Sequence, residues 1–477
     1  FFWAVDDTIK RDDVLNSGWH GIPFETTLVF YDTVSVEPLE IETITSTRYN
    51  LITEEVLAFS APQIDTAYEH TVYIKAMDDD SAFSEVAVKR IFAKNNYLPH
   101  PKIIQVGDVT FDKEGNPQDS LIFFMREDTT PYWKGIAFYV SSVDSDRVFT
   151  PEYSYRWDGG EWSEWTSESI FYFTGGDVET LMTTGYHTFE MLVRDDAWAV
   201  SRETLRIRIK TVKREWNKDT ILLIDETYDL NAIPDKQFIR KDAVYVDSVM
   251  DHFYMKVLEG DGWTVKEIEN GIGFPLTYDF YDSLARYDLI VYVSDDMQTR
   301  QLGFNEQTAR MLMDYLNTGG HLLIWGCTIP YQLITTAGKY GRPLFVYRFS
   351  IFDLRYLVSG QFEFLRGISV NEDLFPSLEV DTGRIITPLA EQNGAISQVG
   401  AAVPINSYII YLFDSRTDLD LFEERGCGFR YKDDTYGVVF YTFPLYWMKM
   451  EDFETCEPVR TVVQNSIKYL RGELEIK

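Results

Sequence analysis

Cysteine is scarce in this chain, with three in 477 residues. That is too few for a disulfide scaffold. Cys427 and Cys456 can pair and leave Cys327 alone, or all three can stay free. Basic residues are also in short supply: 44 Lys and Arg stand against 76 Asp and Glu, for a net charge of −32. So acidic a surface repels nucleic-acid phosphates and attracts cations. No run of 18 or more apolar residues occurs, so no transmembrane helix is expected. There is no G-x-G-x-x-G or Walker loop to cradle a phosphate cofactor, and no signal peptide. Only six histidines are present, and none follows His321.

Apolar residues make up 45% and aromatics 15%, enough for ordinary cores and typical of β-rich modules. The length suits about three domains at roughly 150 residues each. Three stretches end alike: Phe2-Trp3-Ala4-Val5-Asp6-Asp7, Tyr73 to Asp80 with Asp78-Asp79-Asp80, and Phe189 to Arg194 followed by Asp195-Asp196. Each reads as an apolar strand running into an aspartate turn, and such recurrence marks an array. The start at Phe1-Phe2-Trp3 reads as a processed or partial product. Residues 1–31 are a partial β module or orphan strands. A strand there is a candidate to pair with an exposed edge in a neighbouring chain.

Through residue 212 the pattern is short alternating strands and turn clusters. Thr26–Tyr31, Thr71–Ala76, Ser120–Met125, Glu152–Trp157 and Leu205–Val212 are the plainest strands. Pro99 and Pro101 favour an extended connection near Asn95. The expected modules are 32–96 and 97–214. The second carries Tyr153-Ser154-Tyr155-Arg156-Trp157-Asp158-Gly159-Gly160-Glu161-Trp162-Ser163-Glu164-Trp165. Further on come Leu181, Gly185, Tyr186-His187-Thr188-Phe189 and Arg194-Asp195-Asp196. These residues resemble the fibronectin type III or Ig-like modules of bacterial secreted proteins. That resemblance implies antiparallel β-sandwiches and a secreted or cell-surface location.

From Asp219 the pattern changes. Ile221 to Asp225, Trp263 to Val265, Tyr287 to Val293, His321 to Trp325 and Gly437 to Phe443 read as strands. Asp247–Gly260, Asn305–Asn317 and Pro458–Leu470 read as helices, the second closed by Gly319-Gly320. Alternating helices and apolar strands argue a parallel, doubly wound sheet. Residues 215–477 resemble the class I glutamine amidotransferase-like, flavodoxin-type fold, carried by Ile221–Asp225, Leu289–Val293, Tyr315 to Gly326 and the closing Gly437 to Pro444. The fold class expected is therefore multidomain: antiparallel β-sandwiches of the Ig or fibronectin III kind, then an α/β doubly wound parallel-sheet domain.

In catalytic members of that family a cysteine sits on the elbow after a strand, and a later His and Glu activate it. Here the elbow is Gly326-Cys327-Thr328-Ile329-Pro330, without the family's second glycine. The place of the His-x-Glu falls at Phe443-Pro444-Leu445, and neither Phe nor Leu can take a proton. Cys327 is thus the one catalytic candidate, and as a small apolar residue it needs no catalytic role. A hydrolase or amidotransferase built on it is the third-ranked function.

Asp144, Asp146, Asp195 and Asp196 fall in loops that a sandwich brings to one end. With Asp78, Asp79 and Asp80 they are candidate ligands for structural Ca²⁺, though no stretch matches the EF-hand loop. The bland alternative is that they cap turns. Trp157, Trp162 and Trp165 are candidates for a sugar platform. Odd spacing sets Trp162 and Trp165 on opposite faces of any strand, and a sandwich core plus a stack on Arg156 or Arg194 accounts for them equally. Asp225-Glu226 and Asp295-Asp296 end two parallel strands, where such sheets bind ligands, and make an acidic crevice fit for a cation. The reading is a non-catalytic secreted or cell-surface structural or adhesive protein that associates with itself or other surface proteins. The alternative is a glycan- or substrate-binding module of a larger secreted enzyme.

Overall fold

The computed structural model describes residues 98–143, 151–195, 200–225, 246–260, 262–269, 280–294, 306–326, 329, 357–384, 392–417 and 419–476. Before these it describes the backbone of nine strands: β1 (Phe2–Val5), β2 (His20–Gly21), β3 (Val29–Asp32), β4 (Pro38–Leu39), β5 (Thr45–Ser46), β6 (Tyr49–Asn50), β7 (Val56–Phe59), β8 (Tyr68–Lys75) and β9 (Ala87–Ala93). No described helix is long and apolar enough to cross a membrane.

Two compact units divide the chain. The first holds Phe1–Asp119, Ala137–Phe171 and His187–Arg208; the second holds Ser120–Ile136, Tyr172–Tyr186 and Ile209–Lys477. The division does not follow the expected boundary at 214. Part of the segment read as one sandwich belongs with the C-terminal residues.

The first unit is β-structure, mostly antiparallel, with one parallel pair between β3 and β7. Its first sheet runs β2-β1-β8-β9. Phe2–Val5 is therefore not an orphan strand. It pairs antiparallel with Lys75–Val72 on one side and with His20–Gly21 on the other. Two of the three recurring strands are thus neighbours in one sheet. Further on, β10 (His100–Val106) pairs with β11 (Val109–Thr110) and with β13 (Ile136–Val143), in a sheet that also takes in β15 (Ile170–Phe173), while in the second unit β12 (Ile122–Met125) pairs parallel with β17 (Leu205–Lys213). β14 (Glu152–Trp157) pairs with β16 (Gly185–Arg194), Trp157 opposite Phe189. Alternation puts Phe138, Trp157 and Phe189 into one core, with ring centroids 4.4 to 5.5 Å apart. On the other side of β16, Glu190 accepts from both Arg156 and Arg206 at 2.6 and 2.7 Å. This is the sandwich character expected of the segment.

The second unit is built on a nine-stranded sheet. It begins β18 (Thr220–Asp225), β19 (Thr264–Glu269), β20 (Leu289–Ser294), β21 (His321–Gly326). It then takes β22 (Phe364–Ser369), β23 (Leu378–Glu379), β24 (Tyr408–Ser415), β25 (Gly426–Lys432) and β26 (Gly437–Tyr441), in the spatial order β19-β18-β20-β21-β26-β25-β24-β22-β23. The sheet is not wholly parallel, contrary to expectation. Five strands from β19 to β26 are parallel, and β25, β24, β22 and β23 extend it antiparallel. The antiparallel strands escaped notice because they lie in residues without clear helical punctuation, and β24 mixes buried with exposed positions.

Strand alternation decides which face each side chain meets. Ile221, Leu223, Val291, Leu323 and Val439 face α1 (Val246–Leu258) and the C-terminal helix. Leu222, Ile224, Ile290, Leu322 and Phe440 face α2 (Phe280–Leu284) and α3 (Glu306–Asn317). All ten are fully buried, each worth about 1.5–3 kcal/mol of apolar transfer. The C-terminal helix, α4 (Val459–Arg471), follows the same logic. Val459, Val462, Val463, Ile467 and Leu470 recur at i, i+3, i+4, i+8 and i+11 and are buried. Gly472 closes it at φ 79°, its N–H donating to Lys468 and Tyr469 carbonyls. Cys427 and Cys456 both keep free thiols, so the pairing considered from sequence does not form.

Candidate functional site

The carboxyl end of the parallel strands is where a ligand is expected. Asp225 is the last residue of β18 and is buried. Register places Leu223 opposite Glu267 and Asp225 opposite Glu269 on β19, so Asp225 and Glu267 share the face that α1 covers. From α1, Asp251 joins them. One carboxylate oxygen from each of Asp225, Asp251 and Glu267 lies within 4.8 Å of the others. Hard oxygens at this spacing suit a divalent cation such as Ca²⁺ or Mg²⁺ better than any organic cofactor.

This trio overlaps the expected crevice only at Asp225. Glu226, Asp295 and Asp296 lie outside the described residues. Asp251 and Glu267 were missed, because their meeting depends on strand register and on which face α1 covers. No local signal set Glu267 apart, since Lys266 and Glu269 beside it are charged as well.

Of the Ca²⁺ candidates, Asp78, Asp79, Asp80, Asp144, Asp146 and Asp196 lie outside the described residues, as does Cys327. Asp195 is described and buried, directly after β16. The tryptophans are engaged within the first unit. Trp157 is in the core. Arg156 lies 4.5 Å from the Trp162 ring and Arg194 lies 4.6 Å from Trp165. Residues 160–165 form no strand, so the opposite-face argument does not apply to them. Each indole is set against an arginine by a separate ion-paired partner: Arg156 holds Glu190 and Arg194 holds Glu152, both at 2.6 Å.

Around the elbow, Gly326 pairs with Ser294 at the strand ends. A Cβ at Gly326 would stand 2.2 Å from the Ser294 carbonyl, so only glycine fits. Phe443 and Leu445, which follow β26, are fully buried in apolar surroundings. His321 sits at the other end of the same strand, five residues before Gly326 and roughly 16 Å away by the ordinary strand rise. Burial, joined by the charges of Lys432, Arg214, Lys218 and Arg471, pushes its imidazole down to about 4. His252 lies on the exposed side of α1 and stacks on Phe453 at 6.0 Å.

No protein-family model matches the chain, and no curated protein does. Several solved structures are similar at low identity. A cytoplasmic protein from Salmonella typhimurium is 11% identical, covering 52% of this chain and 98% of its own, with a TM-score of 0.29. The fibronectin(III)-like modules of Clostridium thermocellum CbhA are 14% identical over 44% of this chain and 94% of their own, with a TM-score of 0.21. An extracellular domain from B. thetaiotaomicron is 10% identical over 30% of this chain and 19% of its own, with a TM-score of 0.18.

Proposed function

We propose that this chain is a non-catalytic structural or adhesive protein of the cell surface. In this reading fibronectin III or Ig-like modules precede a flavodoxin-type domain of the amidotransferase kind that has lost its catalytic pair. One observation carries it. Phe443 and Leu445 fill the positions after β26 where a cysteine nucleophile would need its base, and both are fully buried among apolar side chains. His321 adds support, since it opens β21 while the elbow closes it.

Ammonia release from glutamine, compared between the full chain and Cys327→Ala, tests the absence of catalysis. Equal background from both is expected. Release that vanishes in Cys327→Ala overturns it. The structural half is tested by negative-stain electron microscopy with and without EDTA. Ordered filaments or sheets are expected, and isolated particles in both conditions overturn that half.

A further inference from the structure

Within the second unit, an open cavity of about 590 Å³ is lined by residues that follow two strands and a helix. The loop after β12 (Ile122–Met125) forms one wall. Its carbonyls are pinned: Gly175 N–H donates to Arg126 and Gly176 N–H to Glu127, at 2.9 and 3.1 Å. Thr130 Oγ1 donates to the Asn317 carbonyl at 2.8 Å, and Arg126 Nη1 to Thr318 at 3.2 Å. Arg214 and Trp216 follow β17 (Leu205–Lys213) and form the second wall. Gly319, after α3 at φ 99°, forms the floor. A Cβ there would stand 3.1 to 3.5 Å from the Thr435 carbonyl, the Trp216 ring and Arg126 Nη1.

Three polar groups here lack acceptors. Arg214 Nε and Nη1 and Trp216 Nε1 are buried with no hydrogen-bond partner. The Arg214 guanidinium stacks 3.3 Å from the Trp216 ring centroid and forms no ion pair among the described residues. A buried charge left in that state is costly, and a carboxylate is its ordinary partner. Burial, with Arg126 adding like charge, pulls the guanidinium down to about 9. The charges of Lys432, Arg214, Lys218 and Arg471 also bear on neighbouring His321. Two guanidiniums, Arg126 and Arg214, thus line the inner walls, while the lining carboxylates Glu127, Asp128 and Asp434 are exposed.

The rim limits what can enter. Glu127, Asp128 and Asp434 are exposed at its edge and repel polyanions. Met182 and the Trp216 ring offer apolar contact. We infer that this cavity binds the carboxylate of a small organic monoanion that parts the Arg214–Trp216 stack and takes the uncovered Arg214 and Trp216 Nε1 as donors, with Arg126 as the second cation. The inference is independent of whether the chain is catalytic or where it resides.

Saturation-transfer NMR on the full chain tests it, with benzoate as the carboxylate probe and benzamide as its neutral counterpart. Saturable benzoate binding is expected, at least tenfold weaker in Arg214→Met and with benzamide. Arg214→Met removes a buried unpaired charge, so its fold should hold. Trp216→Phe keeps the ring, loses the donor and should weaken benzoate several-fold. Equal binding by benzamide or by Arg214→Met overturns the site, as does no saturable binding at roughly millimolar benzoate. Inorganic phosphate binding more tightly than benzoate overturns the monocarboxylate assignment.

Discussion

Among the described residues, the two ends of the parallel strands gather different charged groups. At the carboxyl end Asp225, Asp251 and Glu267 crowd together. At the amino end Arg471 donates to Asp288 at 3.1 Å, both nearly buried; Lys218 also acts on Asp288, and Lys432, Arg214, Lys218 and Arg471 act on His321. Composition alone makes the chain look uniformly acidic. The difference shows that net charge reports on solubility, while the fold decides where each sign collects. It also separates two kinds of chemistry: a cluster suited to a cation at one end and a cavity suited to an anion nearer the other.

The largest expected effect comes from breaking the amino-end pair. Asp288→Asn leaves Arg471 charged and buried without its carboxylate, and should cost about 3–5 kcal/mol in denaturant unfolding. A loss under about 1 kcal/mol would mean that the pair is solvated. His321 gives the next effect, through pH. Its imidazole titrates near 4 in the fold against an ordinary 6.5. Between these values the unfolded chain binds a proton that the folded chain does not. Stability therefore falls as pH drops through that window, by about 3 kcal/mol. His321→Gln should flatten this part of the pH profile relative to the parent, and an unchanged slope would place the loss on carboxylates instead.

The carboxyl end should respond more weakly and with a sign that depends on cations. In EDTA, Asp251→Asn relieves like-charge crowding and should stabilise by about 0.5–1 kcal/mol. In excess Ca²⁺ the same change should destabilise relative to the parent. A gain of equal size in both conditions rules out a cation there. The smallest effect is chemical. Burial pushes the Cys427 thiol well above its ordinary value and raises Cys456 as well. Neither should react with iodoacetamide at neutral pH until the chain unfolds.

Legibility from sequence tracked how local the physics was. Glu152–Trp157 was readable because it alternates, and the helix at Val459–Arg471 because its apolar residues recur on one face. Four of the five parallel strands were readable as apolar runs, since a strand covered on both faces has no polar alternation, while the edge strand β19, with Lys266, Glu267 and Glu269, was read only at Trp263 to Val265. The antiparallel extension through β25, β24, β22 and β23 was not, because pairing is decided by distant partners. That apolar residues follow β26 was visible in the letters Phe443-Pro444-Leu445. The cavity at Arg214 was not, since it draws on Arg126, Met182, Gly319 and Thr435 from separate parts of the chain.

Sequence alone determined the local elements, the acidic balance and the apolar residues after β26, because propensity, periodicity and charge count are properties of neighbouring residues. Tertiary structure decided the mixed sheet, the free state of Cys427 and Cys456, the meeting of Asp225 with Asp251 and Glu267, and the unpaired charge of Arg214. Each depends on strand register and packing between segments tens to hundreds of residues apart, which no local pattern encodes.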